Sequence, residues 1–129
     1  MQQRRITIEI IKDFIFNNDI VLVPTHHRLC IPIVNRIYQK MINDLRFDDI
    51  KVCDNLIIDG HHRYISSLLA GKTIENVPTH KTSATIIYQW KDVEFVDDEW
   101  DTKEKIDKLN REDAAFNNIL LAKIYEMTQ

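Results

Sequence analysis

The fold of this chain is decided by nine residues at positions 56–64, which read LIIDGHHRY. The apolar start of this stretch predicts a buried strand, and the pair Asp59-Gly60 predicts a sharp turn. From His61 to Ala70 the apolar spacing is helical, and Gly71 stands where a helix ends. The first N–H groups of a helix lack partners within the helix, so this strand, turn and helix start predict an anion site.

Length and composition predict one globular domain over residues 1–129. We expect its core at about residues 4–96 and a helical C-terminal extension at about residues 101–128. Hydrophobic residues make up 44% of the chain and charged residues 29%, which is the ordinary balance of a globular protein. Only two glycines and three prolines are present, which argues against long flexible linkers.

Charge and cysteine content exclude several functions. A net charge of −3 argues against non-specific DNA binding, which needs many contacts between cationic side chains and phosphates. Cys30 and Cys53 lack the spacing of a zinc site or a disulfide framework and are interpreted as free thiols in a reducing compartment. No apolar run approaches the roughly 18 residues of a membrane span, so we expect a cytoplasmic protein and no membrane partner.

Five features are predicted before the central stretch. Residues 6–16 favour a short strand followed by a helical turn, and the apolar run at residues 20–23 predicts a buried strand. A polar loop from Thr25 to Arg28 follows, and Pro32 is well placed at the start of a helix. Apolar residues then recur at helical spacing over residues 33–45, which is the clearest amphipathic pattern in the chain.

Further strands are predicted on both sides of the central turn. Residues 50–53 and 56–58 are interpreted as a hairpin, and the proline-containing residues 76–79 as a short edge strand. Residues 82–90 are rich in β-branched and aromatic side chains and predict another strand, with which residues 93–96 could pair. Together these patterns predict an α/β (α+β) fold, a small mixed sheet flanked by helices.

Two C-terminal helices complete the prediction. The first is capped by Thr102, or alternatively by Asp101, and is expected to end near Asn110. The second is expected over about residues 112–127, and its broad apolar stripe could pack on the sheet or form an intermolecular surface. We favour packing on the sheet.

The motif Ile58 to Tyr64, continued through Gly71 to Pro78, resembles the ParB N-terminal/sulfiredoxin superfamily. The family pattern is an apolar strand, a (D/G)-G-x-(H/R)-R turn, a short helix that ends in glycine, and a short strand containing proline. The resemblance implies a compact α/β fold that binds a nucleotide phosphate chain at the turn, with ATP or CTP and Mg²⁺ as the expected cofactors. Its D-G-H-x-R form looks most like the free-serine-kinase and ParB-like-nuclease branches.

Within the resemblance, Gly60 matches the turn glycine and Arg63 matches the arginine shared across the family. His62 matches the histidine of the sulfiredoxin pattern G-G-C-H-R. His61 stands where sulfiredoxins have a nucleophilic cysteine and ParB clamps have a glutamate. The resemblance therefore implies neither sulfinic acid reduction nor ParB-type CTP switching.

Each residue of the turn has a functional and a structural interpretation. Asp59 could act as a base or bind a metal, or it could cap the helix. Gly60 could let a phosphate approach the backbone. As neutral imidazoles, His61 and His62 could donate to phosphate or coordinate a metal, or could serve as buried structural hydrogen-bonding groups. Arg63 offers a bidentate fork for phosphate, or a surface ion pair.

The sequence repeats the triplet His-His-Arg at residues 26–28. This loop follows a predicted strand and precedes a helix, so it could lie beside Gly60 at the same edge of the sheet. In that arrangement Thr25 and Arg28 would bind phosphate, and His26 and His27 could bind a metal. The alternative is a polar surface loop.

Three functions follow from these residues. The leading hypothesis is a nucleotide-binding protein that performs phosphoryl transfer or phosphodiester hydrolysis at Asp59–Arg63. The second is a non-catalytic ParB-fold binding or regulatory module, for example a toxin-neutralising one, with a protein partner or a homodimer through the C-terminal helix. The third is a metal hydrolase that uses the four histidines His26, His27, His61 and His62.

Overall fold

The computed structural model describes residues 5–128 and has a mixed α/β architecture. The predicted fold class is confirmed. Residues 1–4 and 129, which the domain prediction includes, lie outside the described part. In chain order the elements are α1 (Ile8–Asn17), β1 (Arg28–Cys30), α2 (Ile31–Ile42), β2 (Ile50–Cys53), β3 (Leu56–Asp59), α3 (His61–Ala70), β4 (Asn76–Pro78), a 3-10 turn (Trp90–Asp92), β5 (Glu94–Val96), α4 (Lys103–Asn117) and α5 (Leu121–Met127).

The strands of residues 5–128 form two small sheets instead of one. The first has the order β3-β2-β4, in which β2 and β3 form the predicted antiparallel hairpin and β4 adds in parallel at the edge. The second consists of β1 and β5, which pair in parallel with Arg28 opposite Glu94. The second sheet joins distant parts of the chain and lies next to the start of α3, which contacts β1.

The main core lies between the helices α1, α2 and α3 and the strands. It contains fully buried apolar side chains from α1, α2, β3 and α3, including Ile11, Val34, Ile57 and Ile65. A smaller cluster of Leu45, Ala114 and Ile124 attaches the C-terminal helices to the end of α2. No helix within residues 5–128 is both long and apolar enough to cross a membrane.

The prediction of a strand and a helical turn over residues 6–16 is wrong, because this segment is the helix α1. The Thr7 side chain caps the helix by accepting a hydrogen bond from the Ile10 amide at 3.3 Å. Ile11 is fully buried in the middle of the helix. The alternation at Ile6, Ile8 and Ile10 suggested a strand, but the cap at Thr7 and the burial of one helical face determine the structure.

Two further predicted strands do not form. Residues 20–23 make a single bridge, between Val23 and Leu56, and the side chain of Val21 is 78% exposed. Residues 82–90 are irregular up to the 3-10 turn, and Ile86 is exposed. The strand β5 pairs with β1 rather than with residues 82–90. Residues 82–90 form no ladder, and residues 20–23 reach β3 only at Val23, so strand propensity alone does not determine either segment.

The predicted break between the C-terminal helices near Asn110 is also wrong. Thr102 caps α4 as expected, accepting a hydrogen bond from the Lys105 amide at 3.1 Å, but the helix continues to Asn117. It ends because Asn118 adopts the left-handed conformation, with φ of 54°, which asparagine tolerates better than most residues. The apolar stripe is only partly covered. Ile124 is buried, whereas Phe116 and Leu120 are exposed.

Candidate cleft at the start of helix α3

A cleft of about 540 Å³ lies between α2, the start of α3 and α4. The predicted residues that line it are Asp59, Gly60, His61, His62, Arg63 and His26. The sequence stretch that decides the fold therefore also forms one end of the cleft. Its volume falls in the range of about 300–1,000 Å³ that is usual for small-molecule sites.

Gly60 allows the sharp turn between β3 and α3. Its φ is +104°, in a region that side chains disfavour, and a Cβ atom would lie 2.5 Å from Cγ2 of Ile50 and 2.9 Å from Nη2 of Arg63. The helix opens with a hydrogen bond of 2.9 Å from the Tyr64 amide to the Gly60 carbonyl. Within the described residues no side chain caps α3, so its first N–H groups remain available for an anion.

His61 is a buried side chain, only 2% exposed, with a defined tautomer. Its Nε2 accepts a hydrogen bond of 2.9 Å from the Thr25 amide, while the Thr25 hydroxyl donates to the Ile57 carbonyl at 2.6 Å. A nitrogen that accepts an amide proton carries none itself, so the proton of the neutral ring lies on Nδ1. Nδ1 is buried and has no partner among the described residues. It is an unsatisfied donor on a residue that lines the cleft.

His62 repeats this arrangement one residue later. Its Nε2 accepts a hydrogen bond of 2.9 Å from the amide of Cys30 in β1. Its ring meets that of Trp100 edge to face, with 5.6 Å between centroids. His62 therefore also places its proton on Nδ1, and it connects α3 to the second sheet.

Both imidazoles are neutral over the physiological pH range. Burial lowers the pKa of His61 to about 3, with smaller contributions from the nearby His26 and His62. Burial likewise lowers the pKa of His62 to about 4. The nearby His26 makes a smaller contribution in the same direction, whereas Asp101 raises this pKa. Such groups are poor general acids or bases near neutral pH, since catalytic pKa values lie near the working pH. They can donate hydrogen bonds from Nδ1.

Asp59 and Arg63 form the polar rim of the cleft. Nη2 of Arg63 lies 3.3 Å from the carboxylate of Asp59, and Nη1 donates to the carbonyl of Asp48 at 3.1 Å. The Asp59 side chain is 63% exposed, and it pairs with Arg63 instead of capping the helix. Arg63 is 21% exposed, but a pair with one well exposed partner is still weak, about 0–1 kcal/mol, so Asp59 can exchange this partner for a ligand.

The loop at Thr25–Arg28 is divided between the cleft and the second sheet. Thr25 bonds to His61, and the ring of His26 stacks on that of His61 with 4.0 Å between centroids. His27 instead lies against Tyr88, and Arg28 lies on β1 within 3.8 Å of Glu94. Of this loop only His26 lines the cleft, whereas Thr25, His27 and Arg28 do not.

No group of three or more His, Cys, Asp or Glu side chains within residues 5–128 is placed to hold a metal ion. The assignment of His26 and His27 as metal ligands stays a prediction. Cys30 and Cys53 are free thiols, as predicted.

Several residues that line the cleft were not predicted from the sequence. From α2, Arg36 pairs with Glu99 and with Asp101, the latter at 3.1 Å, and holds the acidic loop that carries Trp100. Lys40, only 3% exposed, pairs with Asp113 of α4 at 2.6 Å. Lys40 could have been predicted from its position, because it continues the helical spacing of Ile33 and Ile37 and so lies on the apolar face of α2.

Comparison with known proteins gives no relative for this chain. It matches no protein-family model, no curated protein and no solved structure.

Proposed function

We propose that this chain is a nucleotide-binding protein of the ParB/sulfiredoxin-like kind, which holds the phosphate groups of its ligand at the start of α3. The observation that carries the proposal is the unsatisfied Nδ1–H of His61, buried beside an uncapped helix start at the cleft. A buried donor without an acceptor costs about 1–3 kcal/mol, and a phosphate oxygen would supply the acceptor.

The other polar groups near His61 at the start of α3 are also hydrogen-bond donors. The first N–H groups of α3 carry the positive end of the helix dipole, and Nδ1 of His62 bears a proton. Arg63 adds a guanidinium that can donate hydrogen bonds to two phosphate oxygens at once. These donors favour an anion without requiring a protonated histidine.

Phosphoryl transfer or phosphodiester hydrolysis is the activity we propose for this site. In both reactions, fixed donors that stabilise developing charge account for most of the catalysis. His61 and His62 would act as such donors, because their low pKa values make them poor proton acceptors. Asp59, exposed at the rim, is the carboxylate available as a base or as a ligand for the Mg²⁺ that accompanies ATP or CTP.

Isothermal titration of the full chain with ATP, CTP and GTP, each with Mg²⁺, tests binding. We expect Arg63→Ala to weaken the affinity about tenfold or more, since it removes a charged hydrogen bond of about 1.5–3 kcal/mol. Arg28→Ala is the matched control and should bind as the unmodified chain does, because Arg28 lies outside the cleft. Absence of nucleotide binding, or equal losses in the two variants, would refute the proposal.

Turnover is tested separately by measuring phosphate or diphosphate release with Asp59→Asn as the comparison. Release by the unmodified chain that Asp59→Asn abolishes, with nucleotide affinity retained, is the expected result. Binding without release would instead support the alternative of a non-catalytic module. A protein partner or homodimer through the C-terminal segment also stays a prediction, with Phe116 and Leu120 as its exposed apolar side chains.

A further inference from the structure

Trp100 is a large aromatic side chain that lines the cleft and stays open to solvent. It is 46% exposed, and its ring contact within the described residues is an edge-to-face one with His62, at 5.6 Å between centroids. A perpendicular neighbour covers at most one face of an indole, so at least one face of Trp100 has no aromatic ring against it. Much of this ring is therefore accessible to a ligand.

The second tryptophan of the chain provides a comparison. Trp90 is 8% exposed, its ring stacks on that of Tyr64 with 6.3 Å between centroids, and its Nε1 donates to the Leu22 carbonyl at 2.8 Å. The fold therefore uses the faces and the N–H group of Trp90. Within residues 5–128 the N–H group of Trp100 donates to no such acceptor, so this indole contributes less to the fold than Trp90 does.

The loop that carries Trp100 is held in place by its two neighbours in the chain. Arg36 of α2 pairs with Glu99 on one side of Trp100 and with Asp101 on the other side, the latter at 3.1 Å. The Asp101 amide also donates to the Glu99 carboxylate at 3.2 Å. The Arg36 side chain is only 18% exposed, so water screens these pairs less than it would at an open surface. An exposed ring held in this way is ordered before a ligand arrives, which lowers the entropic cost of binding.

Trp100 also lies next to the phosphate donors proposed at the start of α3. His62, whose ring it contacts, is the second residue of that helix, and Arg63 lines the same cleft. A phosphate at the helix start and a planar ring on Trp100 would therefore lie on either side of His62. A nucleotide places its phosphates and its base in such an arrangement, with the ribose between them.

We infer that Trp100 is the platform on which the base of the bound nucleotide stacks. The inference rests on the proposed function and adds the recognition of the part of the ligand beyond its phosphates. Because every base has a π face, stacking accepts purines and pyrimidines alike. The site therefore selects a phosphate chain that carries a base over one that carries none.

Isothermal titration with ATP and with inorganic tripolyphosphate, each with Mg²⁺, tests the inference on the full chain. We expect Trp100→Ala to weaken ATP binding about tenfold, the scale of one lost base–aromatic stack, and to leave tripolyphosphate binding unchanged. Trp100→Phe keeps an aromatic face and should retain most of the affinity for ATP. Trp100→Leu is apolar but not aromatic and should behave as Trp100→Ala does. Thermal unfolding of each variant shows that it is folded.

Fluorescence gives a readout that a purely structural role of Trp100 would not change. The chain has two tryptophans, so Trp90→Phe leaves Trp100 as the only indole. Stacking of ATP should quench its emission, whereas tripolyphosphate should not. The matched control is Trp100→Phe, which keeps only the buried Trp90 and whose emission should stay constant with both ligands.

The contrary outcomes distinguish this inference from the proposed function. Equal ATP affinities in the unmodified chain and in Trp100→Ala, with Arg63→Ala weaker, would overturn the role of Trp100 and leave phosphate binding intact. Equal losses for ATP and tripolyphosphate in Trp100→Ala would also overturn it, because Trp100 would then act only by positioning His62. Failure of both ligands to bind the unmodified chain would overturn the proposed function together with this inference.

Discussion

Nε2 of His62 accepts a hydrogen bond from the amide of Cys30 at 2.9 Å, and the neighbouring His61 does the same for the amide of Thr25. Each bond joins the start of α3 to a segment about thirty residues earlier in the chain. An imidazole protonated on Nε2 cannot accept, so charging either ring breaks a tertiary contact.

These bonds predict that the protein loses stability in mild acid. The folded pKa values of about 3 and 4 lie below the ordinary value of 6.5, so the unfolded chain binds more protons between these limits. The neutral imidazoles therefore contribute fully to the free energy of unfolding above about pH 6.5, and this contribution falls as the pH decreases towards 4. The expected slope is at most about 1.4 kcal/mol per pH unit for each histidine. Urea denaturation at several pH values measures it.

His62→Gln is the variant that isolates this effect. Glutamine can accept from the Cys30 amide but does not titrate, so the slope should fall by up to half. His80→Gln, at an exposed position, should leave the slope unchanged. A pH profile that is the same in all three proteins would contradict the prediction.

Gly60→Ala is predicted to be strongly destabilising. The positive φ costs an L-residue about 1–3 kcal/mol, and the new methyl group would collide with Ile50, whose Cγ2 lies 2.5 Å from its position. We expect a total loss of about 2–5 kcal/mol in the free energy of unfolding, measured by chemical denaturation.

Gly71→Ala is the matched control for this change. Gly71 also has a positive φ, +67°, but no atom lies within 4 Å of the added methyl group. Its loss should therefore be limited to the backbone cost of about 1–2 kcal/mol. Equal losses at the two glycines would show that the contact with Ile50 is not important.

Asp113→Asn is predicted to destabilise the protein through Lys40. The substitution leaves the Lys40 ammonium buried without its carboxylate, which lies 2.6 Å away in α4. Loss of one partner of a buried pair costs about 3–5 kcal/mol. The double variant Lys40→Met/Asp113→Asn should recover much of this loss, because no unpaired charge remains.

The exposed pair Lys72–Asp44 provides the comparison. Its atoms are 2.7 Å apart, close to the distance in the Lys40–Asp113 pair, but both side chains are well exposed, so Asp44→Asn should change the free energy of unfolding far less than Asp113→Asn does. Similar effects of Asp113→Asn and Asp44→Asn, measured by urea denaturation, would contradict the argument from burial.

The parts of the fold that local sequence patterns determine were predictable. The hairpin of β2 and β3, the turn at Gly60 and the end of α3 at Gly71 all depend on residues close together in the chain. The edge strand β4 followed from its proline. By contrast, residues 82–90 have strong strand propensity but no strand to pair with, and a single sequence does not reveal pairing partners.

The candidate site was predictable only where it coincides with the turn. The sequence identified His61 and His62, but not that the Thr25 and Cys30 amides occupy one nitrogen of each ring. Asn110, which also lines the cleft, was not identified because the helix was expected to end there. Once α4 is seen to continue, Asn110 lies four residues after Ile106, on the same buried side of the helix.

The parallel pairing of β1 with β5 has a consequence for the order of folding. The hairpin of β2 and β3 closes a very short loop, whereas β1 and β5 are separated by most of the described chain. Contacts of high sequence separation have a larger entropic cost and tend to form late. In pulsed hydrogen exchange we expect protection at the Glu94 amide, which donates to the His27 carbonyl at 2.8 Å, to follow that of the hairpin. A folding intermediate would then contain the hairpin and lack the second sheet, to whose strand β1 His62 is bonded.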